Sequence, residues 1–330
     1  MARSDRGYGR SFNMTRSPRD VDLLVLGSGA GGMAAALAGA VLGLDVLLVE
    51  KTDQIGGTTA RWAGSVGVPN PRHSPKGSDN FDQAMTYLRN AVGNRLDETI
   101  AAAFLNAAPE MVDLFEDNTS VNLRAYPYHP DYLANLEGAT LSGRVLEPVP
   151  FDASVLGRKF AHLRSPLAEF MLFGKMMVDR ADIGHLMAAS GNFSSLWHAM
   201  KLIAGYGKDR LRFKRGARLV MGNALVGRLY HSLLAHNVPV LFSARVTALS
   251  RTEGRVSSAE MICQGERISV RARLGVVLAT GGISNHPDLR KSHLPETLFN
   301  SSAVVESATG DGLGLAENVG GHLGSVYDSN

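Results

Sequence analysis

The sequence predicts an α/β fold with a parallel sheet and an attached antiparallel meander. Three observations carry that expectation. Val21 to Leu26 is a short, nearly all-apolar run, followed by a glycine turn and an alanine-rich stretch. "GVVLATGG", ending at Gly282, is a second such run entering a glycine turn. Leu249 to Val270 reads as β-type segments broken by "TEGR" and "CQGER". Strands covered on both faces of a parallel sheet lose the apolar–polar alternation of half-exposed strands.

The first unit can be parsed within "VDLLVLGSGAGGMAAALAGAVLGLDVLLVEK". Val21–Leu26 is the strand, Met33–Leu42 the helix and Asp45–Val49 a second strand that Glu50 ends. Gly27, Gly29 and Gly32 form G-x-G-x-x-G between strand and helix. The first glycine makes the tight turn, the second lets backbone approach a pyrophosphate, and the third lets helix and sheet pack closely. The helix start offers free N–H groups and a positive dipole end to phosphates, with Ser28 and Ala30 in the turn. Glu50 stands where a carboxylate accepts from a ribose, about twenty residues on. Together these predict a Rossmann-like dinucleotide site. Leu23 to Leu44 lacks charge and is long enough to suggest a membrane span, but the glycine cluster argues for strand, turn and buried helix.

Composition fits a globular chain. Its 330 residues are 45% apolar and 20% charged, with a net charge of +3. The single cysteine, Cys263, permits no internal disulfide and makes a reducing, cytoplasmic setting the default. Arg3, Arg6, Arg10, Arg16 and Arg19 give residues 1–19 a basic character without an apolar run. We read that segment as a disordered tail rather than a nucleic-acid arm or a secretory signal. One cysteine and scattered histidines give no metal-ligand spacing.

Glu50-Lys51 runs into Gly56-Gly57-Thr58-Thr59 and then "ARWAGSVGVPNP". This is neither helix-periodic nor strand-alternating. Bare backbone suits a segment that lies against a flat, charged ligand, because a β-carbon would block close approach. "EKTDQIGGTTARWAGSVGVPNP" resembles the succinate dehydrogenase/fumarate reductase flavoprotein superfamily, and within it the 3-ketosteroid Δ1-dehydrogenase branch. "HPDYLANLEGATLSGRVLEPVPFDASVLG" and "RGARLVMGNALVGRLYHSLLAHNVPVLFSARVTAL" resemble further segments of that branch. "RARLGVVLATGG" and "TGDGLGLAENVGGHLG" resemble superfamily-wide signatures.

The resemblance implies noncovalent FAD rather than NAD. It adds Gly64 and Ser65, the backbone of Val246 at the adenine, Thr280, Gly281 and Gly282, and Asp311 of "GDG" to the cofactor residues. It implies hydride transfer to flavin N5 from a CH–CH unit beside a ketone, with the proton going to a tyrosine base. The substrate would be a small hydrophobic molecule, a 3-ketosteroid, and an electron acceptor would follow; oligomerisation is compatible. The assisting tyrosine best matches Tyr132, with Tyr126 and Tyr128 as rivals, while loop packing by these rings is the alternative. The base itself would lie beyond Asn330, so the chain reads as C-terminally truncated and a poor catalyst by itself.

Two other readings stay open. A fumarate-reductase-like enzyme would hold a small unsaturated acid with arginine and histidine, for which Arg124, His129 and His286 are candidates outside that branch's signature. A non-catalytic FAD-binding fragment or interaction module is the other. The expected division is 1–19 tail, 20–282 FAD-binding domain with an insertion at about 120–215, and 283–330 the start of an incomplete substrate (cap) domain. In the insertion, the Met and Phe residues of 166–207 fit core packing better than a helical lid. Pro109 is expected to open a separate helix after one capped by Asp97.

Overall fold

A computed structural model describes residues 19–74, 79–293, 295 and 302–322. The expected tail, residues 1–18, lies outside them. Along the chain the strands are β1 (Arg19–Leu26), β2 (Val46–Val49), β3 (Val66–Gly67), β4 (Leu123–Ala125), β5 (Val145–Pro148), β6 (Phe151–Asp152), β7 (Met171–Leu172), β8 (Met176–Met177), β9 (Arg218–Leu219), β10 (Val240–Leu241), β11 (Ala244–Thr252), β12 (Arg255–Cys263) and β13 (Glu266–Leu278). The helices are α1 (Ala30–Val41), α2 (Phe81–Val92), α3 (Glu98–Asn118), α4 (Arg180–Ala188), α5 (Phe193–Arg210), α6 (Met221–Ala235), α7 (Pro287–His293) and α8 (Asp311–Glu317). They form two compact units: residues 1–61, 158–165 and 229–330, and residues 62–157 and 166–228.

The first unit is built on a six-stranded sheet of order β10-β2-β1-β13-β12-β11. β10, β2, β1 and β13 pair in parallel, with Leu24 opposite both Leu47 and Val276. All of β2 is buried, which is why its four residues are all aliphatic. β11, β12 and β13 form the antiparallel meander. Its loops are Glu253-Gly254 and Gln264-Gly265, and both residues of each have positive φ. Two such residues make the hairpin turn whose twist matches the flanking strands. Gly39 of α1 allows a close helix–sheet contact: a Cβ there would lie 3.1 Å from Val46 and 3.2 Å from Leu23. Residues 283–293 and 302–322 belong to this unit, with Val305, Ala308 and Leu315 buried.

In the second unit, Asn80 caps α2 through the Gln83 amide and Asp97 caps α3 through Thr99 and Ile100. Pro109 does not open a new helix; α3 is continuous across it. Proline forfeits one backbone hydrogen bond. Ala101, Leu105, Ala108, Val112 and Phe115 nevertheless form one buried face spanning both sides of it, and that packing holds the helix together. Most of the insertion expected at about 120–215 lies in a unit that begins at Trp62, with residues 158–165 in the first unit. The region 166–207 meets expectation only in part: Met176 and Met177 are buried, but α5 turns Ser195 and Ala199 inward while Phe193, Trp197 and Met200 are exposed.

One ion pair organises the loop between β4 and β5. Arg144, 5% exposed, donates through Nε and Nη2 to both oxygens of Asp79, at 2.9 and 2.7 Å. It also bonds Asp131 Oδ2 and the Gly138 carbonyl, both at 2.8 Å, and lies over the Tyr87 ring. Removing one member of a buried pair strands the other charge at a cost of about 3–5 kcal/mol. Arg144→Met is therefore expected to lower stability by that amount, read as a fall in the urea midpoint of unfolding. An unchanged midpoint would show that Asp79 finds water.

Candidate functional site

The first unit contains a groove of about 260 Å³ where the glycine turn, the end of β2, the Gly57–Thr59 loop and the Ala279–Gly281 turn meet. The three glycines of the first turn serve three purposes. Gly27 has φ of 101°, and a Cβ there would lie 2.3 Å from the Ala279 carbonyl oxygen. A Cβ on Gly32 would lie 1.8 Å from the Gly27 carbonyl oxygen. Gly29 has φ of −67°, which any residue tolerates, and a Cβ there would meet nothing within 4 Å. Gly27 and Gly32 are thus required by the protein's own backbone. Gly29 leaves open space on the wall of the groove.

That space sits at the amino end of α1, which has no side-chain cap and no acid in its first turn. Unbonded amides and the helix dipole make such an end favourable to an anion. The Gly-Gly loop rests on the same turn. Gly56 donates to the Ser28 carbonyl at 2.9 Å, a Cβ on Gly57 would approach the Gly29 Cα to 3.2 Å, and the Ala30 amide donates to Thr59 Oγ1 at 3.3 Å. An open, glycine-walled, amide-lined cradle fits a dinucleotide pyrophosphate.

Glu50 lines this groove and is buried. Oε2 accepts from the Ser28 amide (3.1 Å) and hydroxyl (2.5 Å), and Oε1 from the Thr52 amide and hydroxyl (both 2.9 Å). A carboxylate has about four acceptor positions, and here all are used. Glu50 is therefore the organiser of the turn as well as a wall of the groove. A ribose hydroxyl would share it with Ser28 and Thr52.

Lys51 Nζ donates to Thr309 Oγ1 (2.7 Å) and Asp311 Oδ2 (3.0 Å), and Thr309 donates to Asp311 Oδ1 at 2.6 Å. Burial pushes the Asp311 carboxyl upward, but the Thr309 and Lys51 hydrogen bonds outweigh it and hold the group below its ordinary range. This cluster ties the end of β2 to the start of α8. A Cβ on Gly312 would lie 2.2 Å from Thr280 Oγ1, so the second glycine of "GDG" is a packing requirement.

The groove brings together Gly27, Ser28, Gly29, Ala30, Glu50, Lys51, Gly57, Thr58, Thr59, Val246, Thr280, Gly281 and Asp311. Gly32 and Gly56 build the turn behind it. Gly282 accepts from the Gly310 amide at 3.1 Å and does not line it. Gly64 and Ser65 lie in the second unit, where a Cβ on Gly64 would meet the Gly222 Cα at 2.3 Å. Sequence reading missed Thr309 and the wall residues Ala244, Val305 and Ser307. Thr309, next to "GDG", was legible; the others present ordinary aliphatic or hydroxyl side chains.

The three tyrosines are in the second unit. Tyr132 is 97% exposed and Tyr128 65%, whereas Tyr126 sits under Arg180 at 4.0 Å and edge-on to His129. The candidates for a dicarboxylate clamp are engaged locally. Arg124 bonds Glu147 at 2.9 Å, and His286 Nδ1 accepts from the Asp288 and Leu289 amides.

The family profile described as "FAD binding domain" matches residues 22–327. The chain belongs to this family. It is 36% identical over 313 residues to a 4-oxocyclohex-2-ene-1-carboxylate 5-dehydrogenase of Sinomonas cyclohexanicum, covering 93% of this chain and 52% of that protein. It is 32% identical to a 3-oxosteroid 1-dehydrogenase of Mycobacterium tuberculosis, covering 94% and 56%. Among solved structures, a 3-ketosteroid Δ1-dehydrogenase from Sterolibacterium denitrificans in complex with 1,4-androstadiene-3,17-dione superposes with a TM-score of 0.82 at 34% identity, covering 91% of this chain and 55% of that one. The chain spans about half the length of the curated relatives it matches.

The contrast between glycines gives a paired expectation. Gly29→Val, at an unstrained φ with free space, should leave thermal stability near wild type and abolish flavin retention. Gly32→Ala should cost about 1–3 kcal/mol of stability through overpacking. Thermal unfolding of the apoproteins and flavin absorbance after reconstitution check both. Retained flavin in the valine variant would remove Gly29 from the binding wall.

Proposed function

We propose that this chain is the FAD-holding part of a dehydrogenase that desaturates a CH–CH unit beside a ring ketone, with FAD bound noncovalently in the glycine-walled groove. The open wall at Gly29, in a chain of the FAD binding domain family, carries the assignment of the groove. Gly29, Ala30 and the amino end of α1 would take the pyrophosphate. Glu50, with Ser28, would take the adenosine ribose, and the Val246 backbone the adenine. Thr58, Thr59, Thr280 and Gly281 would follow the rest of the cofactor. Lys51 and Asp311 supply one positive and one negative group to the same wall.

Bound FAD supplies a hydride acceptor. The chain's own part is to exclude water from the groove, orient the cofactor, and hold a proton relay. Tyr132 is the tyrosine we place in that relay, because its hydroxyl is free of internal packing on a loop clamped by Arg144 through Asp131. The reaction class rests on the relatives, whose names share a ring ketone and a dehydrogenase activity. A 3-ketosteroid and a smaller oxocyclohexane ring both satisfy that description.

Anaerobic bleaching of the flavin-loaded protein by a saturated ring ketone of either kind, even at a slow rate, would support this reading. Tyr132→Phe should slow bleaching by about 10²-fold or more, the scale of a lost acid–base group, without changing flavin affinity. Oxidation of the reduced protein by fumarate, with no bleaching by ketones, would favour the reductase reading. No response to either would favour a binding module.

A further inference from the structure

The chain leaves the first unit after Arg61, and residues 158–165 bring it back for one short excursion. That strap is pinned at the entrance of the Gly-Gly loop. The Ile55 amide donates to the His162 carbonyl at 2.7 Å, and the Arg164 amide donates to the Ile55 carbonyl at 3.1 Å. Ile55, Phe160 and Leu163 are buried. The pairing places a half-buried guanidinium beside the end of β2. Arg164 Nη2 donates to Thr52 Oγ1 at 3.1 Å, and Thr52 Oγ1 lies 2.9 Å from Glu50 Oε1. A guanidinium only donates, so it takes a lone pair of the hydroxyl and leaves the single hydroxyl proton to be passed onward. Two acceptors stand at 2.9 Å from that oxygen, Glu50 Oε1 and the Gln54 carbonyl, and the charged one is the stronger.

The charges around this relay single out Glu50. Burial pushes the Arg164 guanidinium down, and the Glu50 charge is the first influence opposing it. Arg61 repels the guanidinium, while Asp53 and Glu306 attract it. Asp53 and Glu306 are exposed and screened by water, whereas Glu50 is buried. The other charged groups nearby are engaged elsewhere. Lys51 is held by Thr309 and Asp311, and Arg245 lies in the field of Asp311. His162 places Nδ1 3.1 Å from the Asp53 carbonyl and stacks on Phe242. From β10 and β11 backbone meets Glu50: its amide donates to the Leu241 carbonyl at 2.8 Å, and its carbonyl accepts from the Ala244 amide at 3.0 Å.

We propose that Arg164 is a positioning residue for the adenosine end of the groove: acting through Thr52, its charge keeps Glu50 a carboxylate that can share its oxygens with a ribose. The inference rests on the flavin reading of the groove. A buried carboxylate without a cation is driven toward its protonated form. Protonation would turn one Glu50 oxygen from acceptor to donor and break the set of four bonds from Ser28 and Thr52.

The test is a double-mutant cycle on the full chain without flavin: wild type, R164M, E50Q and E50Q/R164M, unfolded by urea at about pH 5.5 and about pH 8. Without the cation, the folded R164M protein should bind a proton at Glu50 above the ordinary carboxylate range. Such a group contributes stability at low pH that is lost as pH rises, so the R164M deficit should be large at the higher pH and shrink at the lower. A deficit from lost packing would be the same at both. R164K should recover most of the midpoint at the higher pH, and E50Q/R164M should unfold at a higher urea concentration than R164M. His162 is common to all four proteins, so its titration cancels in the cycle. In flavin titrations, R164M should bind FAD about tenfold more weakly at the lower pH than at the higher, the scale of one hydrogen bond to a charged group. Wild type should hold FAD alike at both. Equal deficits at the two pH values, or a deficit as large in the E50Q background as in wild type, would overturn the proposal. The expected cycle in a chain whose wild type retains no FAD would keep the coupling of Arg164 to Glu50 and overturn the flavin reading instead.

Discussion

The first unit depends on one steric constraint: two backbone turns touch where no Cβ fits. Gly27 lies against the Ala279 carbonyl, and Gly32 against the carbonyl of Gly27. This contact lets β1 and β13 run side by side into adjacent turns and starts α1 immediately above them. The Gly56-Gly57 loop then settles on the same turn, and Gly312 on Thr280. Each later close approach uses a glycine because the earlier one has already brought the chains within van der Waals distance. The groove is the space left over where Gly29 and Gly31 would point a Cβ at no protein atom.

The electrostatics of that groove follow from the same crowding. The groove contains a buried acid, Glu50, which accepts four hydrogen bonds from Ser28 and Thr52 and lies in the field of the Arg164 guanidinium. The nearby cation, Lys51, is committed to Asp311 and Thr309. The attraction for an anion is thus left to backbone amides and the α1 dipole, which are fixed in direction and cost no side-chain ordering on binding. Glu50 fixes the geometry of Ser28 and Thr52, the residues that flank the turn and the loop. One carboxylate therefore couples the two glycine segments that a cofactor would span.

The groove was legible because its requirements are local. A turn that needs bare backbone leaves glycines at set spacings, and a strand buried on both faces leaves an unbroken aliphatic run. Gly27 and Gly32 were readable for that reason, and Glu50 because it ends the aliphatic run of β2. Gly64 carries a second requirement: a Cβ there would meet Gly222, more than 150 positions away in the chain, and nothing local in the sequence marks that contact. Pro109 misled in the opposite sense, because a continuous buried face along α3 outweighed one lost hydrogen bond. Val305 and Ser307 enter the groove through tertiary approach, which leaves no mark on their neighbours in sequence.

The stretch 166–207 shows the limit of periodicity as a signal. Apolar residues at helical spacing report that a helix has an apolar stripe; they do not report which side faces the protein. In α5 the inward face is made of small and polar residues, and its position is fixed by specific bonds from Asp182 and His185 rather than by apolar area. Once those bonds orient the helix, the larger stripe has only the outside left to occupy. Leaving Phe193 80% exposed forgoes most of the about 1.5–3 kcal/mol that full burial would supply. A helix oriented by hydrogen bonds and an ion pair can therefore carry an apolar stripe outward, and the periodicity of its sequence does not report that side.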